Sequence, residues 1–153
     1  MYASLLFVHS WVRWLVLILL VVRIGVAAAG WMQGRPRSGL DKGIGIAAVS
    51  ALDLQLLLGL ALYATSPLLR VAMSDMGAAM KDAALRFWSV EHGPMMVLAV
   101  VMAHVAQAMS KKAKEDAKGH RIAAIGTTLA LVVILISIPW PFRAAVGRAL
   151  FAM

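Results

Sequence analysis

The chain contains four histidines that could take part in chemistry: His9, His92, His104 and His120. A neutral imidazole can ligate a metal or a haem iron, transfer a proton or donate a hydrogen bond. His9, His92 and His104 lie inside long apolar segments, where an ionisable side chain must face the protein interior, a partner or a bound group. Their positions therefore suggest functional sites.

The apolar segments that carry these histidines indicate the class of protein. Hydrophobic residues make up 62% of the 153 residues, charged residues make up 14%, and the mean hydropathy is +0.84, which excludes an ordinary soluble domain. Four segments are each near or above the roughly 20 residues that a membrane helix needs: Ser4–Trp31, Ile44–Pro67, Phe87–Ser110 and Ile122–Trp140. The sequence predicts an all-α, polytopic membrane protein, with a single domain over residues 1–153 that forms an up-down bundle of four transmembrane helices.

The net charge of +8 is concentrated at the ends of these segments. This distribution indicates contact with anionic lipid and a role in membrane topology, and it does not indicate binding to nucleic acid. The loops Met32–Gly43 and Ser110–Arg121 carry most of the basic residues, so both are expected on the cytoplasmic side and both chain termini outside. The absence of cysteine excludes disulfides, thiolate metal sites and covalently attached c-type haem.

His9 and His92 are predicted to form one site near the outer surface. The first and third segments both have their histidine near the outer side, so the two imidazoles share a depth. The first and third helices of an up-down bundle are diagonal, and side chains that face each other there line an interior site. A pair of imidazoles from opposite sides is the arrangement that ligates a haem iron from both faces. We therefore expect one low-spin haem b with His9 and His92 as its ligands.

Other residues fit a haem at this level. Arg13, one turn from His9, could neutralise a propionate or pair with Glu91, and Gly59 and Gly126 would let the macrocycle approach a helix backbone. Two alternatives stay open at this point. Each histidine could make a hydrogen bond across helices, or His9 and His92 could join Glu91 in a zinc or copper site.

A second haem on the inner side is the corresponding hypothesis for His104 and His120, because two haems at two depths would span a core about 30 Å thick. The competing interpretation makes His120 a solvated histidine in a basic loop and His104 a hydrogen-bonding residue. The partners considered for His104 are Asp53, Gln55 and Gln107. Arg23 and Asp53 lie at similar depths on the first two helices, so we also predict an ion pair between them.

Several motifs of the chain resemble those of small four-helix bacterial membrane proteins that are labelled cytochrome-b-like. The matching pieces, which span nearly the whole chain, are HSWVRW at 9–14, DLQLLLGLALY at 53–63, RFWSVEHGPMM at 86–96, His104, GHR at 119–121 and IPWPFR at 138–143. The resemblance implies haem binding and electron transfer in the bacterial inner (cytoplasmic) membrane.

The leading hypothesis is therefore a b-type haem membrane cytochrome that exchanges electrons with a quinone or a redox partner protein, as a subunit of a larger chain or complex. The alternative is a cofactor-free accessory subunit of a redox or photosynthetic assembly. An enzyme, such as a haem-containing porphyrinogen oxidase, is the weakest hypothesis, because only Glu91 and the histidines could supply acid or base chemistry. The sequence leaves open whether the chain acts alone, as a homo-oligomer or as a hetero-oligomer.

Overall fold

The computed structural model describes residues 1–151, which are mostly helical and contain no strand. The elements in chain order are α1 (Tyr2–Gln33), α2 (Gly39–Thr65), α3 (Pro67–Ser74), α4 (Met76–Ala79), α5 (Ala83–Arg86), a π-helical turn (Phe87–Glu91), α6 (His92–Lys112) and α7 (Asp116–Ser137). Helix α5, the π turn and α6 run on continuously from Ala83 to Lys112, and this stretch is called the third span below.

Four helices are long and apolar enough to cross a membrane: α1, α2, the third span and α7. They form an up-down bundle, as predicted, with short loops at 34–38 and 113–115 and a longer connection at 66–82 that contains α3 and α4. Helix α1 packs against α2 and α7, and the third span packs against the same two helices, so α1 and the third span are diagonal. The first half of α1 and the segment after α7 meet at one end of the bundle, where Trp14 Nε1 donates to the Leu150 carbonyl at 3.3 Å. We call this the terminal end, and the opposite end, with the loops 34–38 and 113–115, the connection end.

Local sequence explains where the first two spans meet. Helix α1 ends at Gly34, whose φ of 62° is the left-handed conformation that glycine adopts without strain. Helix α2 begins with a capping box, in which the Asp41 carboxylate accepts from the backbone N–H of Ser38 at 2.8 Å. The same carboxylate binds both terminal nitrogens of Arg35 at 2.8 Å. These contacts fix the turn between α1 and α2.

The third span is irregular where it carries the first of its two histidines. Pro94 has no N–H to give to the carbonyl of Val90, and its ring would clash with that carbonyl in a regular α-helix. The wider π turn from Phe87 to Glu91 lies directly before it, and the N–H of His92 donates to the Phe87 carbonyl five residues earlier. A proline inside a span is expected to distort the helix, and here the distortion is a π turn. The π turn changes the direction in which His92 points.

The core consists of alanine and of branched aliphatic side chains in similar numbers. Ala48, Ala99, Ala103 and Ala130 are at most 1% exposed and pack around Leu20 in the main cluster of buried residues. Many larger apolar side chains point outward. Small residues inside and large ones outside are the arrangement expected for helices that pack closely in lipid, where burial from water does not drive helix association.

Candidate functional site

His9 lies two turns into α1 at the terminal end and is partly buried. Its ring packs beside α2, where a Cβ built on Gly59 would lie 3.4 Å from its Cε1 atom. Gln55, one turn before Gly59, donates from Nε2 to the His9 backbone carbonyl at 3.0 Å. The Nδ1 atom of His9 is buried and has no hydrogen-bond partner among residues 1–151. A buried polar atom without a partner is costly, and it is available to a ligand.

His92 begins α6 directly after the π turn. Its Nδ1 lies 2.9 Å from the backbone carbonyl oxygen of Ser137 on α7. Because a carbonyl oxygen only accepts, Nδ1 must carry the proton, and in the neutral ring Nε2 then has a free lone pair. The rings of Phe87 and Trp88 flank the imidazole, with centroids 5.7 and 5.5 Å away. A histidine held at Nδ1 by a carbonyl is oriented in the way that metal-ligating histidines commonly are.

The structure places His9 and His92 on diagonal helices at the same end of the bundle. Helix α2 connects them, because Gly59 contacts the His9 ring and Tyr63, one turn on, donates to the Ser89 carbonyl of the third span at 2.8 Å. His9 and the third span therefore contact α2 about one turn apart.

Arg13 lies one turn from His9, but it does not pair with Glu91. Glu91 instead binds Arg86 at 2.8 Å. Arg13 donates from one terminal nitrogen to the Leu150 carbonyl, its guanidinium carbon lies 5.4 Å from the ring centroid of Trp14, and its Nε is buried without a partner among residues 1–151. The predicted contact between Arg13 and Glu91 is therefore wrong. The Glu91 carboxylate binds Arg86, which is five residues away on the same span.

The segment after α7 covers the terminal end, and the sequence patterns did not indicate this. The guanidinium carbon of Arg143 lies 4.7 Å from the centroid of Phe87, and that of Arg148 lies 4.3 Å from the centroid of Trp88. These rings are the ones that flank His92. Arg13, Arg143 and Arg148 form no ion pair with a carboxylate in the described part of the chain. Within residues 1–151, these three guanidinium groups therefore lie near the candidate site without a carboxylate partner.

The alternative of a zinc or copper site is not supported. Among residues 1–151 there is no cluster of three or more histidine, aspartate or glutamate side chains that could hold a metal ion. Glu91, the third ligand in that hypothesis, is held by Arg86. The geometry thus leaves two imidazoles without a third protein ligand.

Gly126 is not beside this site. A Cβ built on Gly126 would lie 2.4 Å from the Cβ of Ala106 on α6, so helix packing already fills the space that we assigned to a macrocycle. Gly59 is different, because its nearest neighbour is the His9 ring. Of the two glycines, only Gly59 belongs to the candidate site.

The predicted ion pair between Arg23 and Asp53 is wrong. Arg23 is 4% exposed and donates from one terminal nitrogen to the Gly45 carbonyl at 3.2 Å. Asp53 lies 2.8 Å from His104 Nε2. Arg23 on α1 is level with Gly45, which is eight residues before Asp53 on α2, so the predicted match in depth is also wrong. The hydrogen bond predicted as the alternative role of His104 is confirmed, with Asp53 as its partner.

His104 and His120 are not brought together by the contacts that each one makes. His120 is 2% exposed, so it is not the solvated loop residue considered above. Its Nε2 donates to the Arg35 carbonyl at 3.2 Å, and a Cβ on Gly30 would lie 2.5 Å from its ring. These contacts hold His120 against the turn between α1 and α2, whereas His104 faces Asp53. They give the second-haem hypothesis no support.

Comparison with protein-family models, with curated proteins and with solved structures gives no match for this chain. The functional interpretation therefore depends on the geometry of the terminal end.

Proposed function

We propose that this chain is a b-type haem membrane cytochrome whose haem is ligated by His9 and His92. The proposal is supported by two imidazoles on diagonal helices at the terminal end, each with a ring nitrogen that has no hydrogen bond among residues 1–151. Haem ligation by two histidines requires such a pair. A bound haem b would supply one-electron transfer at the terminal end.

The residues around the pair fit this group. Gly59 carries no side chain, which lets the His9 ring pack directly against α2. The Ser137 carbonyl holds the His92 ring in the tautomer that presents Nε2. Arg13, Arg143 and Arg148 supply positive charge that would neutralise the two propionates. The resemblance to cytochrome-b-like proteins is in keeping with these contacts.

The haem content of the purified chain tests this proposal. We expect a reduced-minus-oxidised difference spectrum of a low-spin haem b, and about one haem per chain by the pyridine haemochrome method. We expect one haem per chain and not two, because His104 and His120 have other hydrogen-bond partners. A chain that folds and contains no haem when haem is supplied during expression would contradict the proposal and would favour the cofactor-free accessory subunit.

We further propose that the protein lies in the bacterial cytoplasmic membrane with both termini outside, so that the haem exchanges electrons with a quinone or a redox partner near the outer surface. The positive-inside rule supports this orientation. The basic residues at the connection end are Arg35, Arg37, Lys42, Lys111, Lys112, Lys114, Lys118 and Arg121.

Because the chain has no cysteine, single introduced cysteines test the orientation directly. We expect Lys114→Cys, in the loop before α7, to react with a membrane-impermeant maleimide in inverted vesicles and not in intact cells. Ser74→Cys, exposed at the end of α3 near the terminal end, is the matched control and should show the opposite pattern. The reverse result at both positions would contradict the proposed orientation and leave the haem ligands unchanged.

A further inference from the structure

Asp53 and His104 form an ionisable pair on the outside of the bundle. The Asp53 Oδ1 and His104 Nε2 atoms are 2.8 Å apart, and the two side chains are 48% and 45% exposed. Asp53 is fourteen residues after the start of α2 and twelve before its end. At about 1.5 Å per residue, it lies roughly 18 Å or more from either end of the helix. The pair is therefore near the middle of the membrane and faces lipid in a single copy of the chain.

An exposed pair of this kind is unfavourable in hydrocarbon. Ionisable side chains within membrane helices nearly always face protein or a water-filled cavity, because lipid offers them no hydrogen bonds. Asp53 is too deep for its short side chain to reach the headgroups. Helices α2 and α6, which carry the pair, also pack less closely than the other three neighbouring pairs of spans. Another protein surface must therefore cover this face.

We propose that a second copy of this chain covers the face of α2 and α6, so that the protein is a two-fold symmetric dimer. The chemical reason is that the pair is complementary to itself. Among residues 1–151, Asp53 Oδ2 and His104 Nδ1 have no hydrogen-bond partner. In the ionised pair, Oδ2 accepts and Nδ1 donates. A two-fold axis places each acceptor opposite the other copy's donor and closes a network of four side chains with no net charge.

The side chains around the pair fit a close approach of two copies. Ala47 and Ser50 on α2 and Ala108 on α6 are exposed and small, which lets helix backbones come near each other. Leu57 and Val101, which are 65% and 52% exposed, lie on the same face and would surround the polar network with apolar contacts. This dimer does not depend on haem, so its failure would not affect the proposed function.

Cysteine cross-linking tests the dimer in lipid vesicles. Ser50→Cys lies one turn from Asp53, and we expect copper phenanthroline to convert it into a disulfide-linked dimer. Leu129→Cys, 52% exposed on α7, is the matched control on another face and should stay monomeric. Asp53→Leu combined with His104→Leu should lower the Ser50→Cys cross-linking by about tenfold, because membrane helices gain much of their association from polar contacts. Circular dichroism and the melting temperature check that this variant folds.

Three results would overturn the dimer. The first is equal cross-linking at Ser50→Cys and Leu129→Cys, which would indicate random collisions. The second is a monomer by single-molecule photobleaching, with no cross-link at Ser50→Cys or Val101→Cys. A monomer whose introduced cysteines are protected from labelling by a quinone analogue belongs to this result, because a quinone would then cover the face. The third is a cross-link from Ser50→Cys to a different polypeptide. A dimer that survives the double leucine substitution with unchanged cross-linking would also contradict the role of the pair.

Discussion

Replacing either His9 or His92 with alanine is expected to abolish the haem absorbance of the purified protein. In the proposed function each imidazole would ligate the haem iron, and the described part of the chain has no cluster of three or more histidine, aspartate or glutamate side chains as another metal site. His104→Ala is the matched control, because it removes a histidine from the same span as His92 but from a pair with Asp53. Its haem content should equal that of the wild type. The measurement is the pyridine haemochrome ratio, with reduced-minus-oxidised spectra.

Two outcomes would contradict these ligands. One is full haem content in both His9→Ala and His92→Ala, and the other is haem loss in His104→Ala alone. Because an alanine variant could lose haem by unfolding, thermal melting of the haem-free protein accompanies each spectrum. Exogenous imidazole gives a second check, since it should restore a low-spin spectrum to a folded variant that lacks one ligand and has a cavity in its place.

The fold could be predicted from the sequence because length and composition determine it. Four apolar segments separated by basic or turn-forming residues allow few arrangements, and short connections make sequential spans neighbours. The exact ends were less predictable. Helix α2 begins at Gly39, five residues before the apolar segment, because Ser38 and Asp41 form a capping box that hydropathy does not reveal. The π turn before His92 also depends on the local backbone around Pro94.

The positions of the candidate site residues along their helices could also be predicted from the sequence. Position along a helix follows from residue number, so the sequence placed His9 and His92 toward the same end of the bundle. The way neighbouring spans slide and rotate against each other is harder to predict, because packing determines both. The Arg23–Asp53 ion pair was wrong for this reason: Arg23 reaches Gly45, eight residues before Asp53 along α2, and Asp53 faces outward to His104.

The arginines of the C-terminal segment could not be placed from the sequence. No periodicity connects Arg143 and Arg148 to the third span, and proline residues end the fourth apolar segment before them. Their positions depend on aromatic contacts with Phe87 and Trp88 that only the folded chain provides. A cation over an aromatic ring is a contact between distant parts of the sequence, so it leaves no local pattern. The same holds for the Leu150 carbonyl, which binds Arg13.

Gly126→Ala is expected to destabilise the bundle by about 1–3 kcal/mol, the usual effect of adding a methyl group to a tightly packed contact. The new Cβ would lie 2.4 Å from the Cβ of Ala106, and neither group is a flexible side-chain end, so α6 and α7 must separate. Gly25→Ala on α1 is the matched control. A Cβ there meets nothing within 4 Å, so stability should be unchanged or slightly higher.

A compensating substitution separates this packing effect from a loss of backbone freedom at Gly126. In the double variant Gly126→Ala with Ala106→Gly, the new methyl group meets the Cα of residue 106 at 3.5 Å, an ordinary van der Waals distance. We therefore expect the double variant to recover most of the lost stability, although Ala106→Gly alone lowers it by about 1 kcal/mol through helix propensity and a small void. The stabilities of the wild type, Gly126→Ala, Ala106→Gly and the double variant are compared by their resistance to unfolding in a denaturing detergent. Additive destabilisation in the double variant would show that the Gly126–Ala106 contact does not set the distance between α6 and α7.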